Sequence, residues 1–321
     1  MSAGEPDGWM PALRAGRRGG PEQLTLEQAP VPFTPTGEVL VAVHGAGVTS
    51  TELRWPSTWV DRLGRERAPV VPGHDVSGVV AALGFGTTGF SVGDPVFGVT
   101  DWYRDGSAAA YVSVEARNLA PKPATLGHLE AACLPLAGST AWQALFDHGR
   151  LRAGQSVLIH GAAGGVGVLA VQIAHSAGAE VIATARNADR ALLEGLGAHR
   201  VIDTAGQQIE DLAGPVDLVL DLAGGELAER SWPLVRAGGA LVSVVTPRPA
   251  GGAPRPDARW VFFVVDADRR VLAELARSVD AGELCPVLGA VFPLAQGRQA
   301  FEAKLRGGIP GKVVMSVEGT P

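Results

Sequence analysis

Beyond residue 150 the chain alternates short apolar runs with segments whose apolar positions recur every three or four residues. The runs are QSVLIH, EVIATA, RVID, VDLVLDLA, GALVSVV and RWVFFVV. Continuously apolar strands separated by amphipathic helices predict a parallel sheet covered on both faces. The first 120 residues have a different rhythm. EVLVAVHGAGV alternates and then becomes wholly apolar, GHDVSGVVAALGFGTTGFSVGDPVFGV breaks into short strands at its glycines, and SAAAYVSVEARNLAPKP continues in kind. That pattern predicts a mainly-β region. Lys122-Pro123-Ala124 marks a shift in composition, after which LGHLEAACLPLAGSTAWQALFDHG reads as helical. VLAELARSVDAG is a further amphipathic helix, and the tail from Val287 returns to strand, helix, strand. The expected fold class is α/β: a mainly-β part combined with a doubly wound parallel sheet.

A chain of 321 residues with 46% apolar and 19% charged side chains can build a sizeable core and exceeds one typical domain. Its formal charge of −6, without any basic run, argues against a nucleic-acid surface. Cys133 and Cys285 stand far apart and form no CxxC pair, which suits a reducing compartment. The N-terminal stretch lacks an apolar secretory core, and the most apolar run, from Val157 to Ala185, is interrupted by His160, Gln172, His175 and Glu180. A soluble, cytoplasmic protein is expected, with neither membrane nor nucleic acid as partner.

The sharpest motif lies in VLIHGAAGGVGVLAVQIAHSAGAEVIATARN, Val157 to Asn187. Gly161, Ala163, Gly164, Gly165, Val166 and Gly167 join a predicted strand to a predicted helix, the context in which a glycine loop cradles a dinucleotide diphosphate. One glycine permits the turn, one lets the diphosphate approach the backbone, and one lets helix and strand pack closely. The helix start then offers N–H groups and its dipole to the phosphates. At the end of the next strand an acid would hydrogen-bond an unphosphorylated ribose. This chain has Thr184-Ala185-Arg186-Asn187 there, with Arg190 one turn further on. A guanidinium suits a 2′-phosphate, and Thr184 adds a neutral donor, so NADP(H) is the expected cofactor.

Three tryptophans point to an acceptor pocket. Trp55 and Trp59 flank a short Pro-containing loop, and with Trp102 they can line a flat aromatic site. Tyr103, beside Trp102, is a candidate to protonate or orient an oxyanion, whereas Tyr111 sits in a strand pattern and reads as core.

The pieces GGPEQL, GEVLVAVHGAGV, PGHDVSGVV, VGDPVFG, LAPKPATL, EAACLPLAGSTAWQAL, LIHGAAGGVG, GAEVIATA and GIPGKVV occur in an order that resembles the medium-chain dehydrogenase/reductase superfamily, in its zinc-free quinone oxidoreductase branch. The resemblance implies a GroES-like mainly-β catalytic domain from residues 1–123 and 266–321, and a Rossmann domain from residues 124–265. It implies a homodimer paired through RWVFFVV. By family position Thr140 faces the nicotinamide, Ala223 and Gly224 flank the adenine-side ribose, and Val244 and Thr246 lie near the nicotinamide ribose. Phe262 and Phe263 approach the carboxamide through backbone groups, and Lys312 reaches a phosphate or ribose from the tail. Asp221 reads instead as a cap for the turn after its strand.

The chain departs from its relatives at one loop. Where the zinc enzymes have a ligand cysteine it reads Val48-Thr49-Ser50-Thr51-Glu52, and the first 130 residues contain no cysteine. His74 and Asp75 alone do not make a zinc site, which needs three or four converging ligands, so no metal is expected. Quinone reductases have Asn and Asp where this chain has Thr49 and Glu52; a hydroxyl and an acid are nevertheless kept, which makes both candidate catalytic residues. Without a metal to polarise an alcohol or carbonyl, the feasible chemistry is hydride donation to a quinone or to the β-carbon of an enone. Two alternatives stand beside that expectation: an enoyl reductase that tailors a polyketide or similar metabolite, and an NADPH-binding sensor or scaffold without turnover.

Overall fold

The computed structural model describes residues 8–203, 208–247 and 255–317. The first seven residues, part of the stretch read as lacking a secretory core, lie outside them. In chain order the strands are β1 (Trp9–Ala15), β2 (Leu24–Pro30), β3 (Glu38–Val48), β4 (Asp75–Leu83), β5 (Pro95–Val99), β6 (Tyr111–Glu115), β7 (Leu119–Pro121) and β8 (Ser156–His160). There follow β9 (Glu180–Ala185), β10 (Arg200–Asp203), β11 (Val216–Asp221), β12 (Val235–Ser243), β13 (Arg259–Phe262), β14 (Leu288–Pro293) and β15 (Lys312–Ser316). They divide between two units. The first takes the chain up to Leu136, then Ala267–Asp280 and the chain from Pro286; the second takes Ala137–Asp266 and Ala281–Cys285.

In the first unit the sheet runs β14-β15-β3-β4-β5-β7, with β6 on β3 and the β1–β2 hairpin separate. All its pairings are antiparallel except β14 with β15. Alternate residues of β3, Val39, Val41 and Val43, bury one face against Val76, Val80, Val96, Phe301 and Met315. Register sets up the polar centre of this unit: Val313 pairs with Val48, and Gly47 pairs with Asp75, so Lys312, the end of β3 and Asp75 lie side by side. A Cβ on Gly47 would lie 2.7 Å from Asp75 Oδ2, and its absence lets that carboxylate lie across β3.

The unit boundary falls at Leu136/Ala137 and not at the composition shift near residue 123. The reason is contact at long range. Ser77 Oγ lies 2.8 Å from His128 Nδ1, Asp75 Oδ1 accepts the Leu136 N–H at 2.7 Å, and Cys133 packs on Val314. The helical segment expected here is present but interrupted. A short helix, His128–Ala131, is separated from Pro135–Trp142, followed by a wide turn over Gln143–His148. Pro135 has no N–H to continue a helix and suits a first turn.

The second unit is a six-stranded, wholly parallel sheet in the order β10-β9-β8-β11-β12-β13. This is the doubly wound arrangement of Rossmann type, whose order reverses beside β8. Leu158, Ile182, Ile202, Val219 and Leu241 form its core with Trp232. Strands buried on both faces explain why these runs are apolar without alternation. Among the described residues no helix is long and apolar enough to cross a membrane.

Candidate functional sites in the two units

In the second unit the turn after β8 has the form the motif demands. Gly161 has φ +69°, a left-handed conformation that a side chain rarely tolerates. A Cβ on Gly167 would lie 2.5 Å from the carbonyl oxygens of Gly161 and Ala162, so only glycine lets the Gly167–Ser176 helix start this close to the loop. A Cβ on Gly164 would stand 3.2 Å from Gly161 O. No side chain caps that helix, whose cap residue is Val166. The Val168 N–H is taken by Gly164 O at 3.0 Å, so what the loop offers a dinucleotide diphosphate is its bare backbone and the positive end of the helix dipole, and the diphosphate fits this cradle.

The loops after β11 and β12 are tied together by Asp221 and Ser243. Asp221 Oδ1 accepts the N–H groups of Ala223 (3.1 Å) and Gly224 (2.7 Å), and Oδ2 accepts the Ser243 hydroxyl at 2.6 Å. Ser243 Oγ accepts in turn from the backbone of Val245 and Thr246, while Val244 N–H donates to Asp221 O. Asp221 is the cap it was read to be, and it brings Ala223, Gly224, Val244 and Thr246 into one loop cluster. Phe262 is 40% exposed at the end of β13. Phe263 is buried, with its ring 4.3 Å from that of His148, and its N–H donates to Ser243 O. Thr140 is buried in the Pro135–Trp142 helix.

Thr184 corrects an expectation. Ser231 donates to Leu227 O at 2.8 Å, so it must accept from His160 Nε2 at 2.6 Å. His160 Nδ1 is then a lone pair, and the Thr184 hydroxyl donates to it at 3.0 Å. Burial holds His160 neutral, its pKa lowered to about 4. Thr184 is buried at 1% exposure and its only proton is committed inward, so it cannot donate to a ribose phosphate. Arg186 donates from Nε (2.9 Å) and Nη2 (2.7 Å) to Asp189 Oδ2. Arg190 is directed to Asn187 Oδ1 and Val201 O.

In the first unit the loop after β3 carries Thr49, half-buried, and then Glu52 at 0% exposure in a 3-10 turn. Glu52 Oε2 accepts the Gly73 N–H at 3.1 Å and faces His74 Nε2 at 3.7 Å, while Oε1 is buried without a partner. Desolvation raises the Glu52 pKa to about 8, against the opposing Gly73 N–H and Lys312. Desolvation likewise lowers His74 to about 3, helped by Arg67. At pH 7 His74 is therefore neutral and Glu52 mainly protonated. The tautomer of His74 follows from its neighbours: Thr100 donates to Gly73 O at 3.1 Å, so it accepts from His74 Nδ1–H at 3.0 Å, and Nε2 turns its lone pair to Glu52. Glu52 is thus buried beside His74 at 0% exposure and is not open to an acceptor, which departs from its expected catalytic role.

His74 is the residue that sequence reasoning passed over. Trp55 stacks on its ring at 5.7 Å and 19°, Trp102 meets it at 4.5 Å, and the two indoles touch edge to face at 5.8 Å. The expected aromatic wall exists with an imidazole as its third member. Trp59 does not belong to it: at 2% exposure it lies in the core, with Nε1 donating to Leu53 O. Tyr103 stands apart, 36% exposed, with the Arg62 guanidinium 5.8 Å over its ring. Lys312 is a further correction, because its Nζ bonds Asp75 Oδ2 at 2.6 Å and its side chain is 6% exposed. A buried carboxylate needs that cation, which is why the lysine does not reach out to a phosphate. Among the described residues no three His, Cys, Asp or Glu side chains converge as metal ligands.

Comparison with known proteins agrees with this architecture. The alcohol dehydrogenase GroES-like domain matches residues 35–124, and the family described as zinc-binding dehydrogenase matches residues 196–315. The quinone oxidoreductase of Mus musculus is 30% identical over 95% of this chain and 97% of its own length. The 2-methylene-furan-3-one reductase of Solanum lycopersicum is 34% identical over 92% of this chain and 76% of its own. The solved quinone oxidoreductase of Coxiella burnetii superposes with a TM-score of 0.87 at 29% identity, covering 97% of this chain and all of that one.

Proposed function

The chain belongs to the quinone oxidoreductase-like branch of the medium-chain dehydrogenase/reductase superfamily, and from that premise we propose that it transfers a hydride from NADPH to a quinone or to the β-carbon of an α,β-unsaturated carbonyl. The observation that carries the reading is the glycine cradle at a helix start without a side-chain cap, followed just after β9 by Arg186 where an acid would select NADH. The acceptor class rests on the relatives' activities and on the Trp55–His74–Trp102 wall, which suits a flat conjugated molecule.

When bound, the dihydronicotinamide supplies the hydride. The chain's part is to hold the acceptor against the indoles, keep water from it, and offer a donor to the oxygen on which charge gathers. Thr49 is the hydroxyl for that last role, and Tyr103, in contact with solvent, is the candidate to carry the following proton. Neutral His74 supplies no positive charge to the developing oxyanion, which leaves that stabilisation to neutral donors such as the Thr49 hydroxyl. A metal-free course is supported by the commitments of Asp75, whose two oxygens serve Leu136 N–H and Lys312. A homodimer is supported by β13, which ends the sheet, with Phe262 exposed at its last position and Val264 exposed just after it.

The test is turnover with NADPH deuterated at the transferred position against a naphthoquinone, a cyclic enone, an enoyl thioester and a simple aldehyde, before and after chelator treatment. Label on the enone β-carbon, or loss of nicotinamide absorbance with the quinone, unaffected by chelation, is the expected result. Reduction of the aldehyde alone, or activity abolished by chelation, overturns the proposal.

A further inference from the structure

Arg186 is not presented to a ligand alone. Its Nε and Nη2 converge on one oxygen of Asp189, whose carboxylate is almost wholly covered while the arginine side chain is 54% exposed. The turn Asn187–Asp189 fixes the pair, because the Asp189 N–H donates to Arg186 O at 2.9 Å. Arg190, the other cation of this segment, is occupied by Asn187 Oδ1 and the Val201 carbonyl and lies 3.6 Å from Glu194. An anion arriving at the end of β9 therefore meets a cation already coupled to a carboxylate.

A doubly wound nucleotide domain that selects the unphosphorylated ribose keeps an acid at the end of this strand. Here the acid sits three residues later, held beside the arginine that replaces it. A ribose 2′-phosphate brings nearly two negative charges and must share the guanidinium with Asp189. An unphosphorylated ribose brings none. We propose that Asp189 is a specificity-determining residue that restrains the preference for NADPH, so that the native chain separates the two nicotinamides by a narrow margin. This rests on the reading of Arg186 as the 2′-phosphate partner.

The experiment is equilibrium titration of the full chain with NADPH and with NADH, for the native protein and for D189N, D189S and R186A. D189N removes the charge and keeps an acceptor for the guanidinium; D189S repeats the charge removal through a different side chain. The expected result is NADPH binding tightened by roughly threefold to fivefold in both Asp189 variants, the scale of one charge pair at a partly exposed site, with NADH changed by less than about twofold. R186A should weaken NADPH alone. If R186A is selective for NADPH but the Asp189 variants weaken NADPH, or shift both nicotinamides alike, the carboxylate positions the arginine and the inference falls while the cofactor reading stands. If R186A affects both nicotinamides equally, the cofactor reading itself falls.

Discussion

Glu52 offers the most quantitative test of the first unit. Its folded pKa of about 8 exceeds the ordinary 4.5, so between those values the unfolded chain has released a proton that the folded chain keeps. Stability then falls as pH rises, by about 1.4 kcal/mol per pH unit and about 5 kcal/mol over the whole interval. His74 has the opposite sign. Its folded value of about 3 lies below the ordinary 6.5, so the unfolded chain binds the extra proton and stability rises with pH between them. From 4.5 to 6.5 the two slopes cancel, and above 6.5 only the Glu52 loss remains. Glu52→Gln keeps the shape of the neutral acid and removes one slope. Lys312, Asp75, Arg67 and Asp101, which act on the pair, are present in both proteins and largely cancel in the difference. The assay is urea unfolding of native chain and variant, followed by tryptophan fluorescence, in steps from about pH 5 to about pH 8. The stability of the variant relative to the native chain should climb steadily by roughly 1.4 kcal/mol per unit. A difference that stays constant across the series means that Glu52 is ionised in the fold, and the account of a neutral Glu52–His74 pair is refuted.

Three further outcomes follow from the geometry. Gly167→Ala places a methyl group 2.5 Å from two backbone oxygens, and should cost about 1–3 kcal/mol and most of the nicotinamide affinity; a normal melting temperature with normal binding contradicts the close packing. Lys312→Met leaves the Asp75 carboxylate buried without its cation and should destabilise by about 3–5 kcal/mol, with Asp75→Asn in the same chain restoring part of the loss in urea unfolding. Thr184→Val removes the donor to His160 Nδ1 and should lower stability by about 1–3 kcal/mol while leaving the ratio of NADPH to NADH affinity unchanged; a collapse of NADPH binding alone would return Thr184 to the cofactor site.

The parallel sheet was readable because burial on both faces leaves an apolar imprint on every strand, and all six of its apolar runs are strands. The glycine loop was readable because its constraints act within a few residues: a left-handed φ at Gly161 and the missing Cβ at Gly167. The unit boundary was not. Residues 124–136 look helical, and helical pattern says nothing of which unit they join; that is decided by Asp75, Ser77 and Val314, all distant in sequence. The aromatic wall was half readable. Trp55 and Trp102 announce themselves by size, but the ring between them belongs to a histidine that looked structural by itself.

Charged and hydroxyl side chains failed most often, and for one reason. A glycine acts through its own backbone, whereas a lysine, threonine or glutamate acts on whichever partner the fold brings within reach first. Lys312 meets Asp75 because β15 and β4 both pair with β3 in the registers that bring them there. Thr184 meets His160 because the neighbouring strand and Ser231 together leave one imidazole nitrogen open to it. Glu52 lies beside His74 because Gly73 N–H holds its carboxyl there. In each case the fold draws the polar group to a neighbour inside the protein and away from a ligand, although Glu52 Oε1 stays buried without a partner. Arg186 is the informative exception, since Asp189 lies only three residues away, a spacing at which side chains meet on a helical turn. Its pairing is local enough to be read from sequence, and it turns an apparently plain phosphate-binding arginine into one whose charge is already half answered.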